Sequence, residues 1–317
     1  MSSSPVFSVV IPLYNKQQTI DRAVRSVLNQ TVQDFEIVVV NDGSTDRGPE
    51  VVEAIRDPRI RLVHQMNQGV SAARNRGVAE SKAELTAFLD ADDFWEPGFL
   101  EEISVLCGSY PGCGIYATRY SFCRGEDRWP AIVRLLSGLD EGDRGLLRDY
   151  FKVASISHPP VCSSATCVRK GALLEVGGFP VGVTSGEDLL TWARLAVRHP
   201  VAYSMRVQAT FYLGDSACEP AKLRRVIEKQ DYVGMNLQAL LAVCPEEQRV
   251  GMRHYLAHWH KMRTSVYLRL PNRRFALSAL VRSMRFNVAQ PKLLAYLALM
   301  VVPNRIRSRF VDWNNRP

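Results

Sequence analysis

No C-x-x-C pair occurs among the seven cysteines of this chain, whose number is odd and whose spacing is scattered. That pattern excludes a disulfide framework and a structural zinc site as organising devices. Neither G-x-x-x-x-G-K-[ST] nor G-x-G-x-x-G is present, so a P-loop and a dinucleotide fingerprint are excluded as well. Long apolar runs are missing: the longest, about ten residues within 291–310, falls short of the roughly 20 that span a bilayer. The opening MSSSPVFSVVIP has neither a basic segment nor a signal-type apolar core, which leads us to expect a cytoplasmic, reducing setting and to read NQT at Asn29 as an accidental sequon. Carboxylates are scarce late in the chain. Residues 221–317 hold 18 Lys and Arg against 5 Asp and Glu, a charge of +13, whereas residues 1–220 carry −5 of the total +8. An acidic body with a basic tail points to an anionic partner for the tail.

What is present is ordinary globular material, 46% hydrophobic and 23% charged over 317 residues. That is enough for one large domain or a domain with an appendage. FSVVIPLY (7–14), FEIVVVND (35–42), IRLVHQ (60–65) and LTAFLD (85–90) are short β-rich apolar runs with polar stops, and they predict four buried strands. The segments between them predict helices. The first gathers Ile20, Ala23, Val24, Val27 and Leu28 on one face, and the third, 71–82, is capped by Ser71. Alternation of this kind implies a Rossmann-like α/β fold, a mostly parallel sheet with helices on both faces. Ligands bind such sheets at the carboxyl ends of the strands. From about residue 110 the pattern loosens. GCGIYATRYSF and 160–179 suggest strands followed by a short helix, 187–198 predicts a helix, 201–213 a strand, and the chain beyond 221 mostly helix.

LTAFLDADDFWEPGF raises the chemical question: an apolar run ends in Asp90, Asp92 and Asp93. An EF-hand is excluded, because counting Asp90 as position 1 puts Phe94 at position 5 and Trp95 where the sharp turn needs Gly. Asp90 and Asp92, two apart on an extended segment, face the same way. Two such carboxylates repel unless a cation or proton intervenes, and Mn²⁺ or Mg²⁺ suits them. The other reading is a solvated acidic turn capping the helix near Pro97. The companions also have two readings each. NDGSTD places Asp42 at a strand end before Gly43, as a site residue or as a plain βα turn. NQGVSAARNRG places Arg74 and Arg76 near a helix start, for a diphosphate or as surface charge. TSGEDLLTW places Glu187 and Asp188 at a helix N-terminus, where acidic residues are favoured anyway.

Together SVVIPLYNKQQTIDRAVRSVLNQT, EIVVVNDGSTD, NQGVSAARNRG, FLDADD and GGFPVGVTSGEDLLTWARL resemble the family 2 glycosyltransferases, inverting enzymes of the GT-A fold, over about residues 6–213. The resemblance implies a nucleotide-sugar donor, UDP-linked by preference, and a hydroxyl acceptor on a glycan or lipid-linked glycan. It implies that Pro12, Tyr14 and Asn15 line the base pocket, that Asp42 accepts from the base N–H, and that Arg74 lies by the nucleotide. By the same resemblance Asp90 contacts ribose or the metal shell, Asp92 holds Mn²⁺ or Mg²⁺ on the diphosphate, and Asp188 is the catalytic base with Glu187 in support. One departure stands out: FYLGDSACEP carries Gly214 and Asp215 where many relatives place a His in a Y-x-x-H context, and His158 is the only substitute we consider. Nucleotidyl transfer to a sugar phosphate is disfavoured by the missing Gly-rich phosphate loop. A catalytically silent nucleotide-sugar binder or assembly partner is disfavoured by the joint presence of Asp90, Asp92 and Asp188.

We expect a catalytic domain over 1–215 and a helical basic region over 216–317. The run at 291–310, flanked by Arg282, Arg285, Arg305, Arg307 and Arg309, fits a helix lying on an anionic membrane, on the inner face of the plasma membrane. The other reading is a helix packed on the catalytic domain or on a second copy in a homo-oligomer. No nucleic-acid module accompanies the cations.

Overall fold

The computed structural model describes residues 4–139, 143–214, 230–269, 273–290 and 293–302. It divides into two compact units, 1–150 with 157–226, and 151–156 with 227–317.

The first unit is built on a ten-stranded sheet. Its opening part follows the predicted alternation: β1 (Phe7–Leu13), α1 (Ile20–Leu28), β2 (Phe35–Asp42), α2 (Gly48–Ala54), β3 (Ile60–Gln65), α3 (Val70–Glu80) and β4 (Leu85–Phe88). β5 (Phe94–Trp95) and α4 (Phe99–Ser109) follow, then β6 (Ile115–Arg124), β7 (Asp127–Pro130), β8 (Arg144–Leu146) and α5 (Tyr150–Ile156). After a 3₁₀ turn at Ser163–Ala165 come β9 (Thr166–Arg169), α6 (Lys170–Glu175), α7 (Glu187–Arg198) and β10 (Val201–Tyr212). The strand order is β3-β2-β1-β4-β9-β6-β10-β5, with β7 on β6 and β8 on β10. β3, β2, β1 and β4 run parallel, as do β6 and β10. β9 is antiparallel to both β4 and β6 and joins the two parallel blocks.

Burial explains the parallel part. Every residue of β1 and β2 is buried, as expected of strands covered on both faces. α1 turns Ile20, Ala23, Val24 and Val27 inward, onto a core shared with Phe7, Ile11 and Ile37. α3 approaches the sheet most closely at Gly77, where a Cβ would lie 2.3 Å from Val10 Cγ1. Phe88, Phe179 and Trp192, all buried, meet edge-on or tilted at 5.2–6.1 Å. They fasten β4 to the segment that carries α7. Each such ring contributes about 1.5–3 kcal/mol by burial.

Two local expectations change. α3 begins at Val70 after Gly69, so Ser71 lies inside the helix and is not its cap. β4 stops at Phe88, and Asp90 to Asp93 form a turn closed by Asp93 N–H to Asp90 C=O at 3.0 Å. A turn, and not the pleat of a strand, therefore sets the directions of Asp90 and Asp92.

The second unit is helical: residues 151–156 of α5, with α8 (Tyr232–Val243), α9 (Glu246–Arg269), α10 (Arg273–Phe286) and α11 (Leu293–Val301). Asp231 caps α8 by accepting from Gly234 N–H at 2.9 Å. The same carboxylate takes Trp259 Nε1–H at 3.0 Å and pairs with Arg263 at 3.2 Å. Among the described residues no helix is long and apolar enough to cross a membrane.

Candidate active site

A cleft of about 920 Å³ opens at the carboxyl ends of β1, β2 and β4. Pro12 and Tyr14 line it where β1 ends, Asp42 where β2 ends, 67–71 where the chain enters α3, and Asp90 to Asp92 after β4. Gly182 to Thr184 and Glu187, at the start of α7, complete the wall.

Asp42 is buried and fully oriented. Its Oδ1 accepts from Gln65 Nε2 at 2.7 Å and Gln68 N–H at 2.9 Å, and its Oδ2 from Gly69 N–H at 2.8 Å. A carboxylate oxygen can accept two hydrogen bonds, so Oδ2 keeps capacity for one more donor. Gly43 makes this geometry accessible: φ is +71°, and a Cβ there would meet Asn67 N at 2.9 Å. Tyr14 stands 49% exposed on the cleft wall, a ring open to stacking. Asn15 is not among the lining residues. It holds a left-handed φ of 52° and spends its side-chain oxygen on Thr45 N–H at 2.8 Å, while its own N–H donates to Ser44 Oγ at 3.2 Å. It buckles the β1–α1 loop to the β2–α2 loop.

Arg74 joins the acidic segments. It is buried within α3, donates to Asp90 Oδ1 at 2.7 Å and pairs with Glu187 Oε1 at 3.3 Å. Burial opposes its charge, but Asp90, Glu187 and Asp188 outweigh burial and move its pKa up. Glu187 goes the other way: burial first, then the charge of Asp188, push it up to about 7, with Arg74 pulling against them. Once ionised, Glu187 places a second negative charge beside Asp188 and so strengthens Asp188 as a proton acceptor. Asp188, in the first turn of α7, has Leu189 N–H on its Oδ1 at 2.7 Å, and its field reaches Arg74, Tyr120 and Cys162. Arg76 faces away and pairs with Glu80. His158 accepts Ile132 N–H on Nδ1 at 2.9 Å and packs edge-on against Phe122.

Asp90 and Asp92 present two partly exposed carboxylates to one cleft, hard oxygen donors of the kind Mn²⁺ and Mg²⁺ accept. Among the described residues no group of three or more His, Cys, Asp or Glu side chains gathers for an ion. The donor set fits an ion held by these carboxylates and completed by phosphate oxygens and water; it does not fit a protein-built cage.

Other residues of the site escaped the sequence reading. Lys16 lines the cleft and pairs with Asp92. Arg22 donates to the Asp92 carbonyl at 2.8 Å, its guanidinium 4.0 Å from the Tyr212 ring centre and 4.8 Å from that of Phe94. Asp93 is wholly buried, with Ser164 Oγ–H on Oδ2 at 2.5 Å and Tyr212 N–H on Oδ1 at 2.9 Å. Ser164 Oγ in turn accepts Asp90 N–H at 3.1 Å. Ser71 lines the cleft with its hydroxyl buried and unpartnered among the described residues. Only Asp93 carried a signal, as the third acid of the cluster.

Residues 8–169 match the family described as Glycosyl transferase family 2. Among curated proteins the chain is 37% identical over 118 residues to the uncharacterized glycosyltransferase EpsJ of Bacillus subtilis (strain 168), covering 35% of this chain and 34% of that one. The chain spans about a third or less of the length of the curated relatives it matches. Among solved structures it is similar to S. aureus TarS 1-349 in complex with UDP-GlcNAc, with a TM-score of 0.68 and 17% identity over 97% of this chain and 90% of that one. The mannosyltransferase PcManGT from Pyrobaculum calidifontis, in complex with GDP-Man and Mn²⁺, gives a TM-score of 0.57 and 18% identity, over 98% and 85%. At these identities the structural likeness is one of fold, a GT-A-type α/β sheet.

Proposed function

The chain belongs to glycosyl transferase family 2, and from that premise we propose that it is an inverting glycosyltransferase, moving a sugar from a nucleotide-diphosphate sugar to a hydroxyl of a cell-surface or lipid-linked glycan. The observation that supports this reading is a single cleft in which Arg74 ties Asp90, beside the candidate metal carboxylate Asp92, to Glu187. The candidate base Asp188 is the next residue of α7, is not among the lining residues, and is felt there through its charge on Arg74 and Glu187.

Uridine is the proposed base. The remaining acceptor capacity of Asp42 suits the uracil imide N–H, and the Tyr14 ring suits stacking on the base. Ribose and diphosphate then run toward Asp90 and Asp92. Mn²⁺ or Mg²⁺ held by Asp92 and Asp90 would supply Lewis-acid neutralisation of the departing diphosphate. The acceptor oxygen attacks the anomeric carbon on the face opposite the leaving group. As the new C–O bond forms, the bond to the diphosphate breaks and its electron pair leaves on the diphosphate oxygen. The acceptor proton passes to the Asp188 carboxylate, which Glu187 supports, and an α-linked donor yields a β-linked product.

For the second unit we propose attachment to an anionic membrane surface. No carboxylate occurs between Glu247 and Asp312. α10 exposes Arg273, Arg274, Arg282 and Arg285 beside Phe275, Leu277 and Val281, and α11 leaves Leu294 and Val301 each 78% exposed. Arg305, Arg307 and Arg309 lie outside the described residues. A cation-and-apolar face of this kind suits anionic headgroups above an acyl layer.

The decisive measurement is release of nucleotide and transfer of sugar from a panel of nucleotide sugars, with and without Mn²⁺. One donor should turn over, and only with the ion. Asp188→Asn should bind that donor normally and lose about 10²–10⁴-fold in rate. Full transfer by Asp188→Asn would remove the base assignment, and inertness toward every donor would remove the enzyme.

A further inference from the structure

Lys16 and Arg74 give the cleft two cations with opposite freedom. Arg74 is fixed: 4% exposed, bonded to Asp90 and Glu187, its guanidinium 5.2 Å from the Phe179 ring centre. Lys16 is fixed only at its root. Its carbonyl accepts the N–H groups of Thr19 and Ile20 at 3.1 and 3.0 Å where α1 begins, and the Asn15 buckle precedes it. Its side chain is 39% exposed, and the ammonium pairs with Asp92 Oδ2. An ammonium on a four-carbon stem is a compact charge that re-aims easily, which a guanidinium clamped by two carboxylates does not.

This pairing has a consequence for anything that seeks Asp92. A divalent cation arriving alone finds the carboxylate already neutralised and a like charge beside it. A diphosphate brings negative charge into the same cleft and gives the ammonium a second anion to bind. We propose that Lys16 is a mobile counter-ion: it holds Asp92 in the donor-free protein, yields that carboxylate to a divalent ion, and then grips the donor's diphosphate. The inference rests on the donor-binding reading above and goes beyond it, because it makes ion and diphosphate bind as a coupled pair. The ion by itself is held weakly, and the two together strongly.

The coupling predicts effects of opposite sign, which a merely structural residue does not produce. Mn²⁺ binding to the nucleotide-free protein is read by electron paramagnetic resonance, and UDP binding at saturating Mn²⁺ by calorimetry. Lys16→Met should bind Mn²⁺ alone about tenfold tighter and UDP with Mn²⁺ about tenfold weaker, as expected from removing one charge near each ligand. Lys16→Gln should repeat both shifts, while Lys16→Arg, which keeps the positive charge, should shift Mn²⁺ binding far less than either. An unchanged or weakened Mn²⁺ affinity in a folded Lys16→Met or Lys16→Gln protein overturns the counter-ion role, and so does unchanged UDP binding. A parent protein that takes up neither Mn²⁺ nor UDP overturns the donor reading itself, and the counter-ion with it.

Discussion

Asp93 lies beneath the cleft, bridging Ser164 and the end of β10 without touching solvent. Burial first, then the charges of Asp90 and Asp92, push its pKa well above the usual carboxylate range. The folded protein therefore holds this proton more tightly than the unfolded chain does. Stability from that proton is full below the ordinary carboxylate pKa and declines as pH rises above it. Asp93→Leu, which removes both hydrogen bonds, should cost about 1–3 kcal/mol at pH 5 for each group left unpaired. The gap to the parent should narrow by pH 8, as thermal denaturation at the two pH values would show. Glu187, pushed up to about 7, sets a second pH dependence. Transfer should rise as pH passes through about 7, and Glu187→Gln should lose that limb along with roughly ten- to a hundredfold of the rate, read from pH–rate profiles. Ser71, with its unpartnered hydroxyl on the cleft, should matter for the donor: Ser71→Ala should weaken UDP binding several-fold in calorimetry, on the scale of one lost hydrogen bond of about 1 kcal/mol. Asp42, Asp90, Asp92 and Glu187 were legible because each ends an apolar run or opens a helix with a carboxylate. The role of Asp93 was not, because its partners stand 71 and 119 residues away.

The elements that place these residues are held by a few close approaches. α3 carries Arg74 and is seated on β1 through Gly77. Gly77→Ala would force a methyl group against Val10, an overpacking worth about 1–3 kcal/mol. It should lower the melting temperature by several degrees and weaken donor binding as Arg74 moves with its helix. α1 holds the acidic turn from the other side through Arg22, stacked between Phe94 and Tyr212. The parallel strands could be read because continuous apolar runs demand burial on both faces. β5, two residues long, and β8, three, give too short a stretch for any period to register. β9 was read only as strand, and its antiparallel join between the two parallel blocks depends on pairings that no local pattern encodes.

At the scale of the whole molecule, the charge asymmetry between body and tail translates into a test. Vesicles containing anionic lipid should float the protein, and neutral vesicles should not. Arg282→Glu with Arg285→Glu should reduce flotation tenfold or more, since each cation near such a surface is worth about 1 kcal/mol. Indifference to lipid would leave α10 and α11 for a protein partner. The sequence suggested a boundary near residue 215; the second compact unit takes in residues 151–156 as well as 227–317. Phe151, Val153 and Ala154 are buried there, and Phe151 packs 5.7 Å from Tyr255, about 100 residues further on. During synthesis at 5–20 residues per second, that greasy half-turn waits roughly 5 to 20 seconds for its cover. Truncating the gene after codon 226 would leave it permanently bare, a standing invitation to chaperones and to precipitation.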